Sequence, residues 1–163
     1  MAAWQEVVGT EPEFARRVRE ILDAHKHKTI ATLRKDGSPR ISGIEIEFHD
    51  GELWFGSMPE ALKARDLRRD PRFALHSASV MAKEDDPSSW PGDAKVAGLA
   101  VEPADRDEAD EVLRARGLDP ADFAGSHMFR ADLREVVLTR VVGDHLEIDL
   151  WRPGQKLRRF ERT

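Results

Sequence analysis

The feature that most restricts the fold is a stretch where the sequence period becomes strand-like and is cut twice by tight-turn signals. From Thr29 the chain reads TIATLR, then KDGS, then a run from Pro39 to Phe48, then His49-Asp50-Gly51, then ELWFG. The first run is short and rich in β-branched residues. In the second, Ile44, Ile46 and Phe48 share one face and Glu45 and Glu47 the other. Asp-Gly pairs tolerate the left-handed backbone that a short hairpin connection needs. Connections this short join strands that run antiparallel, because a parallel pair needs a crossover of about a dozen residues or more.

Around this meander the other elements fall in order. Thr10-Glu11-Pro12-Glu13 reads as a capped helix start, followed by Phe14, Val18, Ile21 and Leu22 at helical spacing. Ser57-Met58-Pro59-Glu60 repeats the capping pattern before ALKARDLRR, which should stop ahead of Asp70-Pro71. RFALHSAS and AKVAGLAVE read as strands, separated by a polar loop over 80–93 that carries Trp90 and is placed to border a site. Asp105 to Arg116 is an amphipathic helix ended by Gly117, and Asp119-Pro120 starts a further turn. VVLTRV and HLEIDLW flank Gly143-Asp144 as a hairpin. The expectation is one mainly β (α+β) domain over 1–163, with six or more antiparallel strands in a small barrel and peripheral helices. Its parts would be an N-terminal helix (11–26), core strands with a second helix (28–102), a helical insert (103–126) and a closing hairpin (128–152).

Composition removes several function classes. The 163 residues hold 26 Lys and Arg against 31 Asp and Glu, a net charge of −5, which opposes sequence-independent nucleic-acid binding. No cysteine is present, so disulfides, a thiolate nucleophile and Cys-based zinc sites are excluded, and a reducing cytoplasm is the expected location. The start MAAWQEVVGT lacks the basic and apolar regions of a secretory signal, and no apolar run reaches the ~18 residues of a membrane span. Tyr is absent too, leaving His, carboxylates, Ser and Thr as proton handlers, few tools for catalysis without a cofactor. Neither GxGxxG nor a GKS/T loop occurs, and the Glu45/Glu47 pair reads as an ordinary exposed strand face.

The most informative stretch is Leu53 to Leu75, LWFGSMPEALKARDLRRDPRFAL. A strand delivers the chain to a helix N-terminus with Ser57 at the cap and Lys63 a turn later, which reads either as a phosphate cradle or as a capped surface helix with a solvated basic face.

The strand, turn, lysine-bearing helix and closing DLRRDPR resemble the cofactor-phosphate segment of the pyridoxamine 5′-phosphate oxidase-like FMN-binding split-barrel superfamily. The resemblance is closest to actinobacterial members that use FMN or the deazaflavin coenzyme F-420. It extends upstream through TIATLRKDGSPRISGIEIEF and downstream through AKVAGLAVE, covering residues 25–102 well. It implies a split β-barrel homodimer with the cofactor between subunits, and a flavin- or deazaflavin-dependent oxidoreductase transferring hydride to a small molecule. Carried over by position, Lys63 matches the phosphate-contacting lysine and Ser57 the Ser/Thr that ends the preceding strand. Ser42 and Arg40 lie on the site-lining strand, and Trp151 on the strand that closes the site. True pyridoxamine phosphate oxidases begin the helix Ser-Arg-Lys where this chain has Ala61-Leu62-Lys63, and their second-strand arginine and lysine are replaced by Ser42 and Glu47. This argues against vitamin B6 oxidase activity itself.

Other readings stay open at this level. A non-enzymatic protein of the same fold could hold flavin, haem or another tetrapyrrole, or the ancestral site could be empty. WRPGQKLRRFERT suits either covering a ring and holding an anion or a solvated tail. Six scattered histidines offer no metal motif, and His127 reads as a haem ligand, a substrate-side acid or a buried histidine.

Overall fold

The computed structural model describes residues 1–163. Its strands are β1 (Lys28–Leu33), β2 (Pro39–His49), β3 (Glu52–Ser57), β4 (Arg72–His76), β5 (Asp93–Val101), β6 (His127–Val142), β7 (His145–Trp151) and β8 (Arg158–Arg162). They run in the order β3-β2-β1-β4-β5-β6-β7-β8, every pairing antiparallel, and β3 also pairs with β6. The first six strands therefore close into a barrel, and β7 and β8 extend its wall. No helix is long and apolar enough to cross a membrane.

The hairpins follow from local chemistry. Asp50 and Gly51 take positive φ (48° and 75°) in the two-residue turn between His49 and Glu52, the conformation that an Asp-Gly turn accepts. The one register shift in the barrel lies in β5 at Ala97/Gly98, and β1 and β2 pair without interruption past Gly43. A side chain at Gly98 would collide with the Asp132 carbonyl on β6. Gly98→Ala should therefore cost about 1–3 kcal/mol. The check is a lowered urea midpoint at unchanged m-value.

Inside the barrel Phe55 meets Phe73 edge-on at 5.0 Å and stacks on Phe129 at 5.9 Å, amid buried Ile30, Ile44, Leu53, Leu75 and Leu133. Helix α1 (Trp4–Thr10), which the sequence reading did not anticipate, and helix α2 (Pro12–Asp23) close one flank with Trp4, Val7, Phe14, Val18 and Leu22. Trp4 packs on Phe48 with ring centroids 4.7 Å apart. The face of Ile44, Ile46 and Phe48 is thus spent inside one chain. Thr10 ends α1 instead of capping α2: its hydroxyl donates to the Glu6 carbonyl and accepts from the Trp151 indole nitrogen, at 2.8 and 3.0 Å.

Helix α3 (Leu62–Arg69) stops before Asp70-Pro71 and buries Ala64 and Leu67 against the barrel end. Its N-cap is Ala61, without a side-chain cap, so Ser57-Met58-Pro59-Glu60 is not a capping box but a strand end and a turn in which Glu60 takes φ 61°. Helix α4 (Arg106–Ala115) is capped by the Asp105 carboxylate on the Glu108 N–H. It lays Ala109 and Val112 on Trp54 and Met128 of the outer wall, and a short 3₁₀ turn at Pro120–Phe123 returns the chain to β6.

Candidate functional site

Between the outer wall of β2 and β3, the start of α3 and the α4 insert lies a cavity of about 380 Å³. From β2 the lining takes Gly43 and Glu45 on the outward face and Ile44 between them, with Gly56 and Met128 beside them. Ser57, Met58, Pro59 and Lys63 form the α3 side, and Leu113, Arg116, Asp122 and Phe123 come from the insert.

Two groups at the α3 end lack adequate partners. The Ser57 hydroxyl is buried with no hydrogen bond. The Lys63 ammonium donates to the Gly43 carbonyl and to nothing else, and burial pushes its pKa down. A buried hydroxyl without a partner and a partly desolvated cation with spare donors thus line the same end of the cavity. The opposite wall is already compensated. Arg116 lies 2.8 Å from Glu45 and 3.6 Å from Glu47. Burial works to raise the Glu45 pKa, but the Arg116 hydrogen bond and the Lys26 charge outweigh it and hold the carboxylate ionised. His27 stands at the rim, 3.9 Å from Glu45.

The sequence matches a known family. A model described as pyridoxamine 5′-phosphate oxidase matches residues 14–139, most of the chain. The chain belongs to this family. Its barrel resembles a haem binding protein from Mycobacterium smegmatis (TM-score 0.62, 22% identity), over 87% of this chain and 59% of that one. It also resembles a pyridoxamine 5′-phosphate oxidase-related, FMN binding protein from Nostoc punctiforme (TM-score 0.62, 14% identity), over 100% and 98% of the two chains. PhzG from Burkholderia lata, solved with tetrahydrophenazine-1-carboxylic acid, aligns over 91% and 85% (TM-score 0.60, 15% identity). Identities this low speak for the fold alone, and this chain spans less than two thirds of the Mycobacterium protein.

Within this pyridoxamine 5′-phosphate oxidase-like barrel, Ser57 and Lys63 both line the cavity. Three other candidates do not join them. Ser42 sits opposite Ile30 on the inward face of β2, its hydroxyl buried and unpartnered but outside the cavity lining. Arg40, on that same face, gives its Nε to Asp66 at 2.6 Å and lines a separate cleft. Trp151 is 1% exposed in the core, bonded to Thr10 and away from the cavity, because the alternation of β7 turns it toward α1. The sequence reading missed Gly43, Glu45 and Arg116 as cavity walls. Glu45 carried a visible signal, an acidic residue beside a strand glycine, whereas Arg116 is brought to it only by the packing of α4.

Proposed function

We propose that the chain is a flavin- or deazaflavin-dependent oxidoreductase that binds the phosphate of FMN or F-420 at Ser57 and Lys63 and passes hydride to or from a small molecule. The supporting observation is the pair of underused donors at one end of the cavity, a buried hydroxyl without a partner next to a desolvated ammonium. They fit an anionic terminus. The compensated Arg116–Glu45 wall fits hydroxyl groups of a polyol chain, which can donate to the carboxylate. A bound flavin or deazaflavin would supply the hydride chemistry. The protein's own residues would anchor the phosphate, orient the ring and exclude water through Leu113, Phe123 and Met128. Turnover of the reduced cofactor against a panel of small electrophiles tests the reading. Binding without turnover of any compound would leave a carrier and overturn the enzyme assignment.

The second reading is a non-enzymatic tetrapyrrole carrier, favoured by His27 at the cavity rim. An as-purified Soret band lost in His27→Ala would establish it and displace the flavin reading.

We also infer a homodimer. Register links Ile41 to Ala31, Ala31 to Ala74 and Ala74 to Ala97 across one outer face. The sheet continues through Val137–Leu150 and Ile148–Phe160. No helix covers this face, and Ile41 is 73% exposed. A volume of about 380 Å³ is at the small end for a cofactor pocket, in keeping with a site that a second copy completes. Light scattering should give twice the chain mass, and Ile41→Glu, at a position where the monomer buries little, should give the single chain mass with the fold intact.

A further inference from the structure

We propose that the cleft between the β1–β2 turn and the far flank of α3 is a second anion site, taking a small molecule with two or more phosphate groups. The cleft, about 640 Å³, is lined by Arg34, Lys35, Arg40, Arg65 and Arg69, with Leu62 its only apolar wall. Its two carboxylates, Asp36 and Asp66, offset only part of the charge of five cations. Asp36 turns back on its own loop, accepting from the Ser38 N–H and hydroxyl at 2.9 and 2.7 Å. Asp66 is 3% exposed beneath the cleft floor, where it accepts from Arg40 Nε at 2.6 Å, Arg69 Nη2 at 2.9 Å and the Thr32 hydroxyl at 3.0 Å.

Asp66 therefore acts as a mount. It fixes two guanidinium groups through part of their donor set and leaves the terminal nitrogens of Arg40 free for a ligand. Arg65 pairs only with exposed Glu60, and Lys35 makes no hydrogen bond or ion pair. Even with Asp66 shared between Arg40 and Arg69 and Glu60 paired with Arg65, the five cations outnumber the carboxylates on this flank, and a multivalent anion offsets the excess. Guanidinium forks match the tetrahedral oxygens of phosphate, and with a single apolar wall, recognition must come from charge more than from a ring. The net negative charge of the whole chain disfavours a long nucleic acid and leaves a compact ligand. This site stands independently of the flavin reading, since Lys63 lines the other cavity.

The test is calorimetric titration of the full chain with inorganic pyrophosphate at low ionic strength. The variants are Lys35→Ala/Arg65→Ala, which leaves the Asp66 mount intact, and Lys63→Ala. A saturable site that is weakened at least about tenfold in the double variant, weakened by added salt and retained in Lys63→Ala is the expected result. Absence of saturation, equal affinity in the double variant, or loss of binding in Lys63→Ala overturns the proposal. FMN titration of the double variant should match the unsubstituted protein, so failure of one site is distinguishable from failure of the other.

Discussion

Lys63→Ala is expected to weaken FMN binding by about 1–3 kcal/mol, roughly 5- to 150-fold. The ammonium is partly drawn out of water and has one backbone carbonyl as partner, so its charge is poorly compensated until an anion arrives. A phosphate dianion supplies a charge-assisted partner there and favours the protonated amine. Affinity should accordingly fall as pH rises through the lowered lysine pKa, since the deprotonated amine has no charge to offer. Riboflavin is the control because it lacks phosphate: its affinity should be the same in the variant and the unsubstituted chain. Fluorescence titration of both ligands reads this directly, and equal losses for the two would mean that Lys63 shapes the cavity and does not hold phosphate.

The second large effect is on stability. Asp66→Ala should cost about 3–5 kcal/mol, because it strips a buried carboxylate from Arg40, Arg69 and Thr32 and leaves their donors unpaired. For a chain of this size that corresponds to a fall of roughly 6–20 °C in Tm by calorimetry. The effect should depend on pH. Burial works to raise the Asp66 pKa, but the hydrogen bonds from Arg40, Arg69 and Thr32 outweigh it and hold the value below the ordinary 3.8. A carboxyl group with a depressed folded-state pKa stabilises the fold at pH above its unfolded value and loses that contribution as pH falls toward the folded one. The gap in stability between the two proteins should be full at neutral pH and narrow below about pH 4. A gap that widened on acidification would contradict the assignment.

What the sequence made legible was local. The meander from β1 to β3, the stop of α3 at Asp70 and the closing hairpin all depend on near neighbours, and Ser57 and Lys63 fall within one strand-turn-helix unit. Parity defeated the rest of the site. Arg40 and Ser42 lie on the required strand, but the face that meets the cavity carries Gly43 and Glu45, and a one-residue difference puts a side chain on the other side of the wall. Strand β7 shows the same limit in another form. Apolar Leu146, Ile148 and Leu150 alternate there with Glu147 and Asp149, yet Glu147 and Asp149 are the buried ones, neutralised by Arg140 and Arg159. The apolar alternates are left half-covered on the face assigned to the second copy.

Strand β8 depends on that inversion. RRFER, readable either as a solvated tail or as a cover for a ring and an anion, becomes a strand where Asp149 accepts from Arg159 at 2.7 Å on the neighbouring strand. Helix α1 is seven residues long, too short to hold by propensity, and exists through Trp4 on Phe48 and the Gln5 N–H on the Gly51 carbonyl at 2.7 Å. No local pattern announces contacts of that kind.

The most direct measurement is a titration of the purified chain with FMN and, separately, with F-420, following tryptophan quenching and ligand fluorescence. The account predicts saturation at one cofactor per subunit for at least one of the two, competed by free phosphate. No saturable binding of either would contradict the assignment of the Ser57–Lys63 cavity as a cofactor-phosphate site.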